Sequence, residues 1–216
     1  MRSNAWVTLT RVLVAGGVLL AAEVQPVTAQ RISLTPNIGV YVPTTELVKA
    51  ASGEEFKQEM SITLGGRLGI ALSNRLGLEF TGAYAPSDLK VTASGVADQS
   101  EDANIFTGSG RISYHVIPTT SPISFLVTGG VGIINRSGAF YADVDKRTDV
   151  GGTLGATAGF RLGSLLRLQV SAEDYIYKPK AEIPGFGPAD EKMTQNDIHL
   201  SFGVGIPLLG LGQLGK

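Results

Sequence analysis

The stretch EMSITLGGRLGIALSNRLGLEFTGAY, residues 59–84, decides the fold. From Met60 to Leu72 every second residue is apolar or glycine, and the positions between them hold mainly small or polar residues. A period of two is typical of a β-strand with two unlike faces. A second alternating run, 76–84, follows the short segment SNR at 73–75, which predicts a hairpin.

The same alternation recurs along the chain and predicts eight strands. They are expected at about 32–42, 60–72, 76–84, 106–116, 123–133, 150–162, 166–172 and 198–206. Short connections alternate with long ones, which fall at roughly 43–58, 86–103, 135–149 and 178–195. This alternation predicts an all-β fold, an eight-stranded antiparallel up-and-down barrel with both chain ends beside the short turns.

Charge placement indicates which face of the strands lies inside. The apolar face carries no charge except Asp174, near the end of a segment, and every lysine lies in a long connection or in the tail. The other face holds serine, threonine and glycine together with a set of charged residues: Arg67, Glu79, Arg111, Arg161, Arg167 and Glu173. The outer face of a soluble barrel normally carries lysine and glutamate. We therefore predict a transmembrane barrel with lipid outside and a polar interior.

The six charged residues are predicted to form a structural network inside the barrel. Buried charges must pair or stay hydrated. Eight strands enclose an interior just wide enough for side chains, so salt bridges that fill the barrel are favoured over an open pore. A gated polar path is the functional alternative.

The N-terminus has the pattern of a secretory signal peptide. Arg2 and Arg11 precede an apolar run at 12–22, which is shorter than the ~20 residues that a spanning helix needs. Small residues before Gln30 predict cleavage after Ala29. We expect three regions: a signal peptide at 1–29, an outer-membrane barrel at 30–208 and a C-terminal tail at 209–216.

Composition narrows the classes of ligand. The formal net charge is −1 with a pI near 6.1, which argues against a nucleic-acid partner. The chain has no cysteine, so thiolate chemistry and disulfides are absent. Asp143, Asp145 and Asp149 lack the regular spacing of a calcium loop, and a solvated loop is favoured. No catalytic, cofactor-binding or metal site is predicted.

These features together resemble the small eight-stranded outer-membrane barrels of the OmpA/OmpX kind. The resemblance covers about residues 31–208 and rests on the overall pattern, without a sharp motif. It implies a bacterial outer-membrane location, membrane lipid as partner, a monomer, and a non-enzymatic role in envelope structure or in adhesion through the loops. The chain departs from the family in its C-terminal end, since Phe202 is the last aromatic residue and PLLGLGQLGK follows at 207–216.

Two other functions are also compatible with the sequence. Outer-membrane lipid A deacylases look similar in using a His-x-Ser pair on a strand with an acid, here His199, Ser201 and Glu173. That pair is expected to face the barrel interior, where an acyl chain does not easily arrive, so interior hydrogen bonding is favoured. The other alternative is a soluble lipocalin-like barrel that binds an apolar ligand.

Overall fold

A computed structural model describes residues 31–44, 48–49, 55–92, 99–142, 147–163, 166–179 and 194–208. These residues form β-strands along almost their whole length. In chain order the strands are β1 (Arg31–Pro43), β2 (Val48–Lys49), β3 (Glu55–Gln58), β4 (Ser61–Ala71), β5 (Leu76–Ala85), β6 (Asp88–Thr92), β7 (Gln99–Asp102), β8 (Asn104–Ile117), β9 (Ile123–Ser137), β10 (Thr148–Leu162), β11 (Leu166–Tyr177) and β12 (Gln195–Pro207). Among the described residues, no helix is long and apolar enough to cross a membrane.

Eight of the strands close into a barrel. The order around it is β1-β12-β11-β10-β9-β8-β5-β4, and every neighbouring pair is antiparallel. These are the eight strands that the alternating pattern predicts, so the predicted fold class is confirmed. β4 and β5, β8 and β9, and β10 and β11 are each joined at one end of the barrel by a connection of three to five residues, and this end is called the turn end. The opposite end, called the loop end, carries the long connections.

The alternation places apolar side chains outside and polar side chains inside. Leu64, Val131 and Val170 point outward and are 60–65% exposed. The interior positions Thr63 and Thr153 are only 2% and 1% exposed. An apolar exterior of this extent is stable against lipid and not against water, so the soluble lipocalin-like alternative is wrong.

Strands β9 to β12 extend further toward the loop end than the sequence pattern indicates. β9 continues to Ser137, β10 begins at Thr148, β11 continues to Tyr177 and β12 begins at Gln195. The expectation of a solvated loop is therefore wrong for Asp149, which lies within β10 and is fully buried. No group of side chains among the described residues is arranged to hold a metal ion. Asp143 and Asp145 lie outside the described residues, as do the predicted signal peptide with its Ala29–Gln30 cleavage site and the tail at 209–216.

A second sheet, absent from the sequence prediction, forms within the first two long connections. Its strand order is β2-β3-β6-β7, and it is called the outer sheet below. The buried Gln58 anchors it, since its side-chain amide donates to Ser87 Oγ at 2.9 Å and to the Ala103 carbonyl at 2.7 Å. Tyr141, from the third long connection, donates to Gln58 Oε1 at 3.3 Å. Burial raises the pKa of Tyr141 to about 12, so its hydroxyl remains a donor at neutral pH.

Candidate functional site

The middle of the barrel interior holds four charged side chains from four strands, called the central cluster: Arg67 (β4), Glu79 (β5), Arg111 (β8) and Glu173 (β11). Glu79 and Arg111 are directly opposite in the β5–β8 register. Arg67 Nη2 lies 2.5 Å from Glu173 Oε1, and Arg111 Nη1 lies 2.9 Å from Glu173 Oε2. Glu79 Oε2 is farther from both arginines, at 3.6 Å from Arg67 Nε and 3.5 Å from Arg111 Nη2.

The central cluster contains two positive and two negative side chains, and these side chains are almost completely buried. All four side chains are less than 10% exposed. Arg67 also donates to Ser171 Oγ at 2.9 Å and to Gln169 Oε1 at 3.2 Å, so hydroxyl and amide oxygens share its charge. Two arginines balanced by two glutamates make burial tolerable, because a lone charge in such an interior is very costly.

Arg161 and Arg167 do not join the central cluster. Both point inward, but they lie at the turn end of β10 and β11, where Arg161 is exposed and Arg167 is half-buried. Arg161 Nη2 donates to the Thr119 carbonyl. Arg167 donates two hydrogen bonds of 2.7 Å, one to the same carbonyl and one to Ser124 Oγ. The six-residue network expected from the sequence is therefore a cluster of four, with two separate arginines at the mouth of the barrel.

A second buried group, called the outer cluster, occupies the interior at the loop end. It consists of Tyr41, Arg136, Asp149, Tyr177 and Asp197, and each residue is at most 3% exposed. Both tyrosines donate to Asp197 Oδ2, Tyr41 at 2.8 Å and Tyr177 at 2.6 Å. Arg136 Nη1 lies 2.5 Å from Asp149 Oδ2, and Arg136 Nη2 donates to the Tyr177 hydroxyl at 2.8 Å. The hydrogen bonds thus link strands on several sides of the barrel.

His199 lies between the two clusters and faces the interior. It is 5% exposed, and the rings of Tyr41 and Tyr175 each lie 5.2 Å from its ring, centroid to centroid. The cavity beside His199, which Ser201 and Glu173 also line, has a volume of only about 20 Å³. An acyl chain has no room there, so nothing in the arrangement favours the lipid-deacylating chemistry that the His-x-Ser pair raises.

Sequence reasoning missed the outer cluster, although a signal for it exists. The fifth predicted strand ends at Ile133, which leaves Arg136 in a loop. Extending the alternation by two steps places Ile134 and Arg136 on the inward face, where both are found. The same extension of β10, β11 and β12 by a few residues brings Asp149, Tyr177 and Asp197 inside.

An apolar exterior, a buried charged interior and an up-and-down closure define a small membrane-spanning β-barrel of the bacterial outer membrane. A family model described as "Outer membrane protein beta-barrel domain" matches residues 12–205, and the chain belongs to this family. The predicted outer-membrane location and the resemblance to small eight-stranded outer-membrane barrels are thereby confirmed. No protein with a curated description matches the chain.

Solved structures share the fold at low sequence identity. The outer membrane protein OprG from Pseudomonas aeruginosa is 14% identical with a TM-score of 0.67, covering 83% of this chain and 96% of its own. Neisserial surface protein A is 11% identical with a TM-score of 0.52, covering 81% of this chain and 96% of its own. At such identities the similarity is one of fold.

Proposed function

We propose that this protein is a non-enzymatic, non-conducting outer-membrane barrel that acts by binding or adhesion through its outer sheet. The observation that carries the proposal is the anchoring of the outer sheet on the buried Gln58. Binding surfaces are commonly loops held by a rigid scaffold. An ordered sheet also loses less conformational entropy on binding than a free loop does.

Three contacts join the long connections into one body. The backbone amide of Ala103 donates to the Ser87 carbonyl at 2.8 Å, which joins the two ends of the second connection. The amide of Glu59, in the first connection, donates to the Asp88 carbonyl at 2.9 Å. The amide of Phe140, in the third connection, donates to the Asp102 carbonyl at 3.2 Å. This network supports a rigid surface at the loop end.

The two buried clusters support the absence of conduction. An ion or solute that crosses the barrel has to pass the outer cluster and then the central cluster, and both fill the interior with hydrogen-bonded side chains. Between them, the cavity beside His199 has room for about one water molecule. A gated path requires both clusters to rearrange, and each rearrangement leaves buried charges without partners.

The remaining expectations belong to the same proposal. The chain is exported with residues 1–29 removed after Ala29, and Gln30 becomes the mature N-terminus. It works as a monomer in membrane lipid, because closure of the barrel satisfies every barrel strand without a partner chain. A net charge of −1 argues against nucleic acid as a ligand. N-terminal sequencing of the exported protein tests the cleavage site.

Planar-bilayer recording tests conduction. Purified protein in a bilayer is expected to show no steady ion current at a concentration where a porin does. The double variant Arg67→Ala/Arg111→Ala, which clears part of the central cluster, shows whether small leaks are detectable. Steady channels from the unaltered protein would contradict the non-conducting barrel.

Complementation of a deletion strain tests the role of the outer sheet. One plasmid carries the full chain, and another carries a barrel in which short turns replace residues 44–60 and 86–103. Cell attachment to laminin-, fibronectin- and collagen-coated surfaces is expected to be restored by the full chain alone. If both versions equally restore resistance to detergent with EDTA and neither restores attachment, the role is envelope-structural and the binding proposal is wrong.

Point variants test whether the anchoring of the outer sheet, and not only its presence, is needed for attachment. Gln58→Leu removes the anchoring hydrogen bonds and is expected to speed protease cleavage of the outer connections on intact cells and to reduce attachment. Glu59→Gln, at the exposed neighbouring position, is the matched control and is expected to change neither. Equal behaviour of the two variants would contradict the anchoring argument.

A further inference from the structure

A cavity of about 360 Å³ lies inside the barrel between the central cluster and the turn end. Inward-facing glycines on four strands are part of its lining: Gly69, Gly77, Gly159 and Gly205. Glu79 lies at its inner end, and Arg161 and Arg167 lie at its mouth. The volume is within the range of about 300–1,000 Å³ that is common for small-molecule sites.

The two arginines at the mouth form an unusual pair. Arg161 and Arg167 are directly opposite each other in the β10–β11 register. Like charges in this position destabilise a sheet. Both nevertheless converge, since each donates a hydrogen bond to the carbonyl of Thr119. Among the described residues, no carboxylate pairs with either arginine.

Among the described residues, the surroundings of the pair add no unpaired negative charge. The short turns at 72–75, 118–122 and 163–165 contain no aspartate or glutamate. The one acid that lines the cavity, Glu79, lies within 3.6 Å of both arginines of the central cluster. His115 also lines the cavity, and its Nδ1 has no hydrogen-bond partner among the described residues. The mouth therefore presents a concentrated positive charge with free donors.

We infer that this cavity binds a small molecule through a phosphate or carboxylate group held between Arg161 and Arg167. A guanidinium offers several N–H donors in a planar fork that matches two oxygens of such a group. One oxyanion between the two arginines removes their repulsion. Ser124 accepts a hydrogen bond from Arg167 and donates its own to the Gly159 carbonyl, so it orients the Arg167 guanidinium at the mouth. The cavity behind the mouth accepts the body of the ligand against glycine walls and Leu126.

The bound group has two sources with the same chemistry. One is a free phosphorylated or carboxylated solute on the side of the membrane that the turn end faces. The other is the headgroup of a phospholipid from the adjacent leaflet. Neither source involves the outer sheet, so this inference stands or falls separately from the proposed binding at the loop end.

Calorimetric titration of the whole mature protein in a phosphate-free sugar detergent tests the site. The probes are inorganic phosphate and monomeric dihexanoyl phosphatidylglycerol. At least one probe is expected to bind, and Arg167→Gln is expected to weaken binding about tenfold, the effect of losing a charge-assisted contact. Arg75→Gln is the matched control, because Arg75 is exposed at the same end but does not line the cavity.

Each outcome decides the inference. Binding of phosphate alone supports a free solute, and binding of the lipid alone supports a headgroup. No binding of either probe, or equal weakening by Arg75→Gln, overturns the site. If heating no longer shifts the gel mobility of Arg167→Gln, showing that it has not folded, Ser124→Ala replaces it. That variant keeps both arginines and is expected to weaken binding by a smaller factor, so unchanged binding then overturns the inference.

Discussion

The two halves of the barrel interior are filled in opposite ways. The half toward the loop end is packed with aromatic, aliphatic and charged side chains, and Ile134 and Asp149 there are 0% exposed. The half toward the turn end contains a cavity of about 360 Å³. The central cluster separates them. The same eight strands thus enclose a filled interior at one end and a cavity at the other, and the residues at the inward positions make the difference.

The largest expected loss of stability comes from a substitution in the packed half. Arg136→Met removes the guanidinium that lies 2.5 Å from Asp149 and donates to Tyr177. Breaking a buried ion pair by removing one partner typically costs about 3–5 kcal/mol. The free energy of unfolding in phospholipid vesicles, measured by urea titration, is expected to fall by this amount. A loss near zero would mean that the outer cluster is hydrated.

Double variants test how the charges pair in the central cluster, which lies between the two halves. Arg67→Met is expected to cost about 3 kcal/mol, because two glutamates then share one arginine. Adding Glu79→Gln is expected to restore more stability than adding Glu173→Gln. The first leaves the Arg111–Glu173 pair at 2.9 Å, and the second leaves the Arg111–Glu79 pair at 3.5 Å. If the two changes restored the same amount of stability, the four charges would not be paired in a fixed way.

Glycine substitutions compare the packing of the halves directly. A Cβ at Gly132, in the packed half, would lie 2.8 Å from the ring of Tyr175, so Gly132→Ala is expected to cost about 1–3 kcal/mol. A Cβ at Gly205, in the open half, would lie 3.0 Å from the flexible end of Gln169. Gly205→Ala is therefore expected to cost less than about 1 kcal/mol in the same titration. The reverse order would contradict the difference in packing.

The smallest expected change in stability comes from a substitution at the mouth of the open half. Arg167→Met removes a charge that faces Arg161, so the lost hydrogen bonds are offset by relief of repulsion. The free energy of unfolding without ligand is expected to change by less than about 1 kcal/mol. A loss comparable to that of Arg136→Met would show that Arg167 supports the fold.

Much of the barrel was predictable because lipid enforces the alternation on every barrel strand. An inward arginine such as Arg111 and its neighbour Glu79 on the adjacent strand follow from the period of two and the hairpin order. The contact between Arg67 and Glu173 does not follow, because it crosses the interior and depends on the stagger of the strands. No local pattern in a single sequence records that stagger.

Two other features escaped prediction for different reasons. β2, β3, β6 and β7 are two to five residues long, too short for a period to be recognised. Glycines such as Gly69 and Gly159 line the cavity, but a glycine on a strand does not by itself predict a cavity, since it is equally compatible with close packing. Gly151 illustrates the second case, since a Cβ there would lie 2.7 Å from Tyr177 Cβ.

The seam between β1 and β12 has a consequence for how the protein is made. The hydrogen bond from Tyr41 to Asp197 crosses this seam and joins residues 156 positions apart in the chain. Contacts between distant parts of a chain slow folding, since a large loop must close first. Until the last strand arrives, β1 and β12 are open edges that invite pairing with other chains. We therefore expect the outer cluster to be completed only when β12 pairs with β1, and its loss to lengthen the time during which both edges stay open.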